Sequence, residues 1–197
     1  FVSFPARNKR QRGLLYPEIG YSERRGFSYN QPFYWAIDDE SDATFYTHYM
    51  SERGLKPGLE YRYYLTREAK GALLFDFLHD GQVDDGRDRS SDDWGYDDGS
   101  GVFFRPNHDR YWFRMSHTNP LPAGFRGHVD LDVVSDQDYL RDFKKGYMGF
   151  EETELFLKNF MGRTLDDFDD PVRTNRLQVD RRWSKAYLSA GTLLYDD

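Results

Sequence analysis

The sequence predicts an all-β chain folded as an antiparallel up-and-down meander. Three observations predict it. First, a period-two rhythm keeps returning: Val129, Leu131 and Val133 alternate with His128, Asp130 and Asp132, and Leu59, Tyr61, Tyr63 and Leu65 with Glu60, Arg62, Tyr64 and Thr66. Successive side chains of a strand point to opposite faces, so each such segment has one apolar face and one wet, charged face. Second, aromatic residues make up 18% of the chain, mostly Tyr and Phe, which favour strands. Third, clusters of Gly, Pro, Asp and Asn separate the rhythmic segments. A membrane barrel with a polar interior requires the same pattern.

The strands are expected, in order, at Gly13–Glu23, Phe27–Ile37, Ala43–Glu52, Leu59–Thr66, Gly71–His79, Asp109–His117, Phe125–Val134, Asn175–Ser184 and Ala186–Tyr195. Arg24-Arg25-Gly26, the run Asp38 to Asp42, Lys56-Pro57-Gly58, and Asn119-Pro120 with Ala123-Gly124 read as turns. Two linkers are long, about Asp80–His108 and Ser135–Thr174. In a meander alternate linkers share one side, and both long ones fall on the same side. Outer-membrane barrels place short turns at the periplasmic end and long loops outside. Within the second loop, Glu151–Leu165 carries Leu155, Phe156, Asn159 and Phe160 at helical spacing, with acids at its start. It reads as a short helix over the barrel mouth, or equally as a bulged hairpin.

Composition narrows the function classes. The net charge of −7 argues against nonspecific nucleic-acid binding, which needs a basic face. Mean hydropathy is −0.87, and no stretch approaches the ~20 apolar residues of a membrane helix. A barrel strand needs only about 9–11 residues, half of them polar. There is no cysteine, so disulfide and thiolate chemistry are excluded in this span. The alternation is still running at Leu194-Tyr195 and no starting Met is present; the chain is expected to be a piece of something longer.

The residues that could carry chemistry have plainer readings. The run Asp84, Asp85, Asp88, Asp92, Asp93, Asp97 and Asp98 fits no calcium-loop spacing and reads as a solvated external loop. The five histidines form no metal-ligand spacing, and no phosphate-binding or nucleophile motif is present. Glu60, Asp76, Asp130, Asp132 and Asp180 lie on wet faces, where paired acids could perform glycosidase chemistry. Arg62, Arg110, Arg114 and Arg182 share those faces in similar numbers, and a mixed-sign wall lining a lumen explains all nine. No cofactor is expected. Prolines are the sharper signal: Pro17 and Pro32 sit inside strand-like runs, and Pro5 lies in the approach to the first. Proline cannot donate to a ladder and belongs at an edge or bulge.

Specific words of the sequence are similar to a known family. Phe4-Pro5 through Arg12-Gly13-Leu14-Leu15-Tyr16-Pro17, Pro32-Phe33-Tyr34-Trp35-Ala36-Ile37, Asp42-Ala43-Thr44, His48-Tyr49-Met50, Arg53-Gly54, Glu60-Tyr61-Arg62-Tyr63 and the stretch Val134 to Phe143 resemble, in order, the start of the LptD barrel. The resemblance implies that residues 1–197 are the N-terminal segment of a large transmembrane outer-membrane β-barrel of about two dozen strands. It implies transport of lipopolysaccharide and its insertion into the outer leaflet, a conduit and not an enzyme. The partners it implies are lipopolysaccharide, outer-membrane lipid, an LptE-like lipoprotein plug, and a periplasmic bridge docked through a jellyroll domain outside this chain. It also implies a lateral seam at the first strand, with Pro5 and Pro17 as the positions that weaken its pairing. Residues Phe150–Val172 match no family motif. The rival readings are a passive porin-like channel and a soluble carbohydrate-binding or carbohydrate-cleaving sandwich, whose apolar faces would pack on each other.

Overall fold

The computed structural model describes residues 11–95 and 105–196. Ten strands form one sheet: β1 (Gly13–Leu14), β2 (Glu18–Ser22), β3 (Gly26–Ala36), β4 (Ser41–Met50), β5 (Gly54–Tyr64), β6 (Lys70–His79), β7 (Asp109–Leu121), β8 (Phe125–Val134), β9 (Arg173–Arg182) and β10 (Tyr187–Asp196). Both β1 and β2 pair with β3, and each later strand pairs antiparallel with the next. The meander is therefore up-and-down and all-β, as the alternation predicts. Among the described residues three α-helices interrupt it, α1 (Asp88–Trp94), α2 (Gln137–Asp142) and α3 (Phe150–Met161).

Short turns at one end are built from side chains that replace ladder partners. Asp38 Oδ1 accepts from the amides of Glu40 (2.9 Å) and Ser41 (2.6 Å), and Thr66 Oγ1 accepts from Glu68 and Ala69. These are the local bonds by which Asp and Thr favour turns. Two expected turns move. Lys56-Pro57-Gly58 lies inside β5, because the reversal occurs at Ser51–Arg53, with Gly54 at φ +114°. Pairing of β5 with β6 begins at Gly58, so Pro57 sits just beyond that ladder. Asn119-Pro120 belongs to the end of β7, and the reversal is Pro122–Gly124, with Ala123 and Gly124 both left-handed. β6 has no residue opposite Pro120, since its pairing ends at Lys70–Thr118; proline is tolerated where no ladder bond is owed.

The sheet is inverted relative to a soluble one. Phe33, Phe45, Tyr49, Leu55, Phe75, Tyr111 and Leu177 stand exposed on one face. On the opposite face Asp76, Arg110, Arg114 and Asp132 are fully buried. The apolar cluster sits over that charged face. Tyr139, Leu140 and Phe143 from the α2 region and Met148, Phe150 and Leu157 from the α3 region pack on Met50, Ala72, Leu74, Leu78 and Trp112. A soluble sandwich would hide its apolar faces against each other. Here the apolar face has no covering among the described residues.

The helix expected over the mouth is α3, and it lies lower than expected. Its contacts are with β6 and β7 along the charged face, and Phe150, Thr153 and Leu157 are its buried residues. The acidic run is solvated as expected at Asp85, Asp92 and Asp93, which are exposed, but not at its start. Asp84 is buried and accepts from Ser91 Oγ at 2.7 Å, and α1 follows it. Asp97 and Asp98 lie outside the described residues.

Candidate functional site

The site has two parts, the charged face under the inner loop (residues 135–172, which carry α2 and α3) and the broken edge of the sheet. On the charged face, α2 is started by Asp136, whose side chain accepts from the Tyr139 amide at 2.9 Å. An acceptor at this position satisfies an orphan amide of the first turn. The same carboxylate takes both forks of Arg110, at 2.6 and 3.0 Å. At the other end of α2, Asp142 accepts from Arg53 (2.8 Å) and Arg110 (2.7 Å). Asp80, just after β6, accepts from Arg53 through both carboxylate oxygens and from Arg110 at 3.0 Å. Burial alone would raise the Asp142 carboxyl; the guanidinium groups of Arg53 and Arg110 outweigh it and hold its pKa well below the ordinary carboxylate value. Burial acts the same way on Asp80, and Arg53 again outweighs it.

A second cluster lies further back along β6. Asp76 of β6 accepts from Lys56 Nζ at 2.8 Å, from Arg114 and from the Tyr139 hydroxyl. Arg114 also donates to the Met148 carbonyl at 3.1 Å and stacks over Trp112, its guanidinium carbon 3.7 Å from the ring centroid. A third cluster centres on Asp132, which accepts from Trp112 Nε1 at 2.7 Å and from Arg173. Every buried charge in these clusters is hydrogen-bonded to an opposite charge, as burial requires.

The residues that the sequence singles out divide accordingly. Asp76, Arg110, Arg114 and Asp132 enter the clusters. Asp180 is buried at the β8–β9 pairing, accepting from Arg126 (2.9 Å) and His128 (2.7 Å). Asp130 accepts from Ser116 Oγ at 2.6 Å. Glu60 and Arg62 stand half-buried near the opposite end, Arg62 donating to Asp42 at 2.6 and 3.1 Å. Arg182 is exposed at the end of β9. The period-two reading missed Arg53, Lys56, Asp80, Asp136, Tyr139, Asp142 and Arg173. Only the word Val134 to Phe143 pointed at α2; Arg53 and Asp80 lie in turns, where alternation says nothing.

The edge is the second part. Pro17 lies in the gap between β1 and β2; Pro5 lies outside the described residues. The register explains the gap. Leu14 faces Phe33 and Glu18 faces Asn30, so three residues, Leu15 to Pro17, span against two, Gln31 and Pro32. That is a bulge, which ends pairing locally. Pro32 lies opposite it. Its carbonyl accepts from the Leu15 amide at 3.0 Å, so its own nitrogen, with no hydrogen, faces the same strand. The Gln31 side chain supplies the missing donor, bonding the Leu15 carbonyl at 2.9 Å.

Comparison with known proteins places this geometry. The family model described as LptD protein matches residues 1–144, and the one described as LPS transport system D matches residues 108–190. The chain belongs to the LptD family. It is 33% identical over 156 residues to the LPS-assembly protein LptD of Pseudoalteromonas atlantica, covering 79% of this chain and 18% of that protein. The protein of the same name from Pseudoalteromonas translucida is 33% identical over 179 residues, covering 91% and 21%, and that of Salmonella typhimurium is 29% identical over 181 residues, also covering 91% and 21%. The chain thus spans about a fifth of the length of these LptD relatives.

Proposed function

We propose that this chain is the N-terminal segment of the barrel of an outer-membrane protein that inserts lipopolysaccharide into the outer leaflet. The observation that carries the reading is the inverted sheet: a bare apolar face on one side, a buried mixed-charge face on the other, and an edge broken at Pro17. A lipid-facing wall needs the first, and a sugar-phosphate path needs the second. A seam that must part needs the third, because a bulged, proline-bearing edge offers few ladder bonds to a closing strand. On this reading Glu60, Arg62, Asp76, Arg110, Arg114, Asp130, Asp132, Asp180 and Arg182 belong to the lumen wall, and Pro17, with Pro5, to the seam. The relatives' names supply lipopolysaccharide as the cargo. A lipoprotein plug inside the lumen and a periplasmic bridge complete the reading as partners. The role is a conduit, with no bond made or broken.

The test is photo-crosslinking in cells from probes at Leu15, Tyr16 and Tyr21 of the full-length protein, with Phe75 as a mid-wall control. Crosslinks to lipopolysaccharide at the edge and not at Phe75 are expected. A complex that still exports while the edge probes stay silent would overturn the seam assignment.

A further inference from the structure

Between α2 and α3 the inner loop makes a tight turn whose two central residues reach opposite ways. Gly149 N donates to the Gly146 carbonyl at 2.8 Å. Gly146 (φ +91°) and Met148 (φ +63°) are left-handed, a conformation uncommon for methionine. Met148 points to the rigid wall. It is buried, a side chain at Gly58 would touch it, and its carbonyl accepts from Arg114. Tyr147 points to the edge. Its amide donates to the Glu18 carboxylate at 3.0 Å and its hydroxyl to the Tyr16 carbonyl at 3.3 Å. Tyr16 and Glu18 are the two neighbours of Pro17. The same loop holds the edge hairpin at its tip, where Arg25 donates to the Asp142 carbonyl and Arg24 Nε lies 3.5 Å from Asp142 Oδ1.

Among the described residues the edge strand is paired on one side only, and it is interrupted by its bulge. Such segments open at the low end of a protein's range of local stabilities. The inner loop, by contrast, is bolted to β5, β6 and β7 by the buried clusters around Asp76, Asp80 and Asp142. The bonds from Tyr147 therefore tie the weakest strand of the sheet to its most rigid part, at the point where the ladder fails. We propose that the Gly146–Gly149 turn is a latch that holds the edge strand to the inner loop, so that the strand is ordered by the loop and the two move as one unit. Its consequence for transport, that displacing the loop frees the seam, rests on the function proposed above; the latch itself does not.

The experiment is amide hydrogen exchange on the full-length protein in lipid nanodiscs, read at Glu18–Ser22. A charge-assisted hydrogen bond is worth roughly 1.5–3 kcal/mol, so Glu18→Ala is expected to speed exchange there about tenfold or more. Tyr147→Phe, which removes only the longer bond, is expected to give about two- to threefold. The double variant, which removes both bonds, should exchange at least as fast as Glu18→Ala alone. Tyr21→Phe, on the same strand but exposed, should change nothing. Should Glu18→Ala fail to assemble, Glu18→Gln keeps a neutral acceptor and should still give about two- to threefold. Unchanged exchange at Glu18–Ser22 in both the Glu18 and the Tyr147 variants would overturn the latch. Faster exchange without lipopolysaccharide crosslinks at the edge would keep the latch and sink the seam reading instead.

Discussion

Asp142→Asn is the sharpest probe of the buried clusters. The substitution removes one negative charge from between two arginines that have no access to water, Arg53 at 1% and Arg110 at 0% side-chain exposure. Breaking a buried pair by removing one partner costs about 3–5 kcal/mol, because the other charge is left uncompensated. Each arginine here keeps a second carboxylate: Arg53 keeps Asp80, and Arg110 keeps Asp80 and the forked bond to Asp136. That places the cost at the lower bound, about 3 kcal/mol. The loss falls on the loop, since Asp142 is its bolt while both arginines belong to the wall. Local opening of α2 should become about a hundredfold more frequent, read as faster exchange of the Tyr139–Asp142 amides with β6 and β7 unchanged. Asp138→Asn is the control, because the Asp138–Arg141 pair is partly exposed on both sides and such pairs are worth at most about 1 kcal/mol. Exchange of α2 within threefold of the parent in Asp142→Asn would refute the idea that these clusters hold the loop.

Other consequences follow from the same geometry. The Tyr63 ring lies across Gly71 to reach His117, and an added Cβ would stand 2.7 Å from it; Gly71→Ala should destabilise by about 1–3 kcal/mol, and Tyr63→Ala should relieve most of that in the double variant, measured by denaturant unfolding in lipid. Asp80 and Asp142 have folded pKa values below 3.8, so their stabilisation is complete above that value and is lost as the pH falls through the lower folded value. The fluorescence of a variant retaining only Trp112, which lies under the loop, should hold steady down to about pH 4 and change below it; release at pH 5 to 6 would contradict the assignment. Pro17→Thr restores an amide at the bulge and should slow exchange along the edge and slow export together. The bare apolar face predicts that residues 1–197 alone enter detergent micelles and aggregate without them.

The alternation was legible because each wall strand meets two environments, and Val129 against Asp130 or Phe75 against Asp76 records that directly. Strand ends were less so. Pro57 and Pro120 read as turn residues, yet each sits where no partner strand asks for its missing hydrogen. The helix α3 was legible by its spacing but its buried side was not. Leu155, one of the residues that marked it, is 59% exposed, whereas Thr153 is buried against Arg114. An amphipathic pattern assumes a core that is apolar, and this one is roofed over charge. The clusters themselves left no local trace. Arg53 and Asp142 are separated by 89 residues, and α2, at six residues, is too short to show a period.

The two edges of the sheet present their backbones differently. β10 runs ten residues in unbroken register with β9, has no proline, and carries Leu188, Leu193, Leu194 and Tyr195 exposed. An edge of that kind is a template for another strand. The opposite edge has eleven residues of β3 available as its neighbour but uses only seven of its own in β1 and β2. The bulge at Pro17 removes the middle of the ladder, and the side chains of Gln31 and Glu18 and the turn at Tyr147 take up the bonds it leaves. Part of what ties that edge to its neighbours is therefore made by the Gln31 side chain and the inner loop rather than by the backbone ladder. If this edge is the seam proposed above, a strand joining it meets an edge already interrupted at Pro17, and the edge itself is held both by its seven paired residues on β3 and by the inner loop.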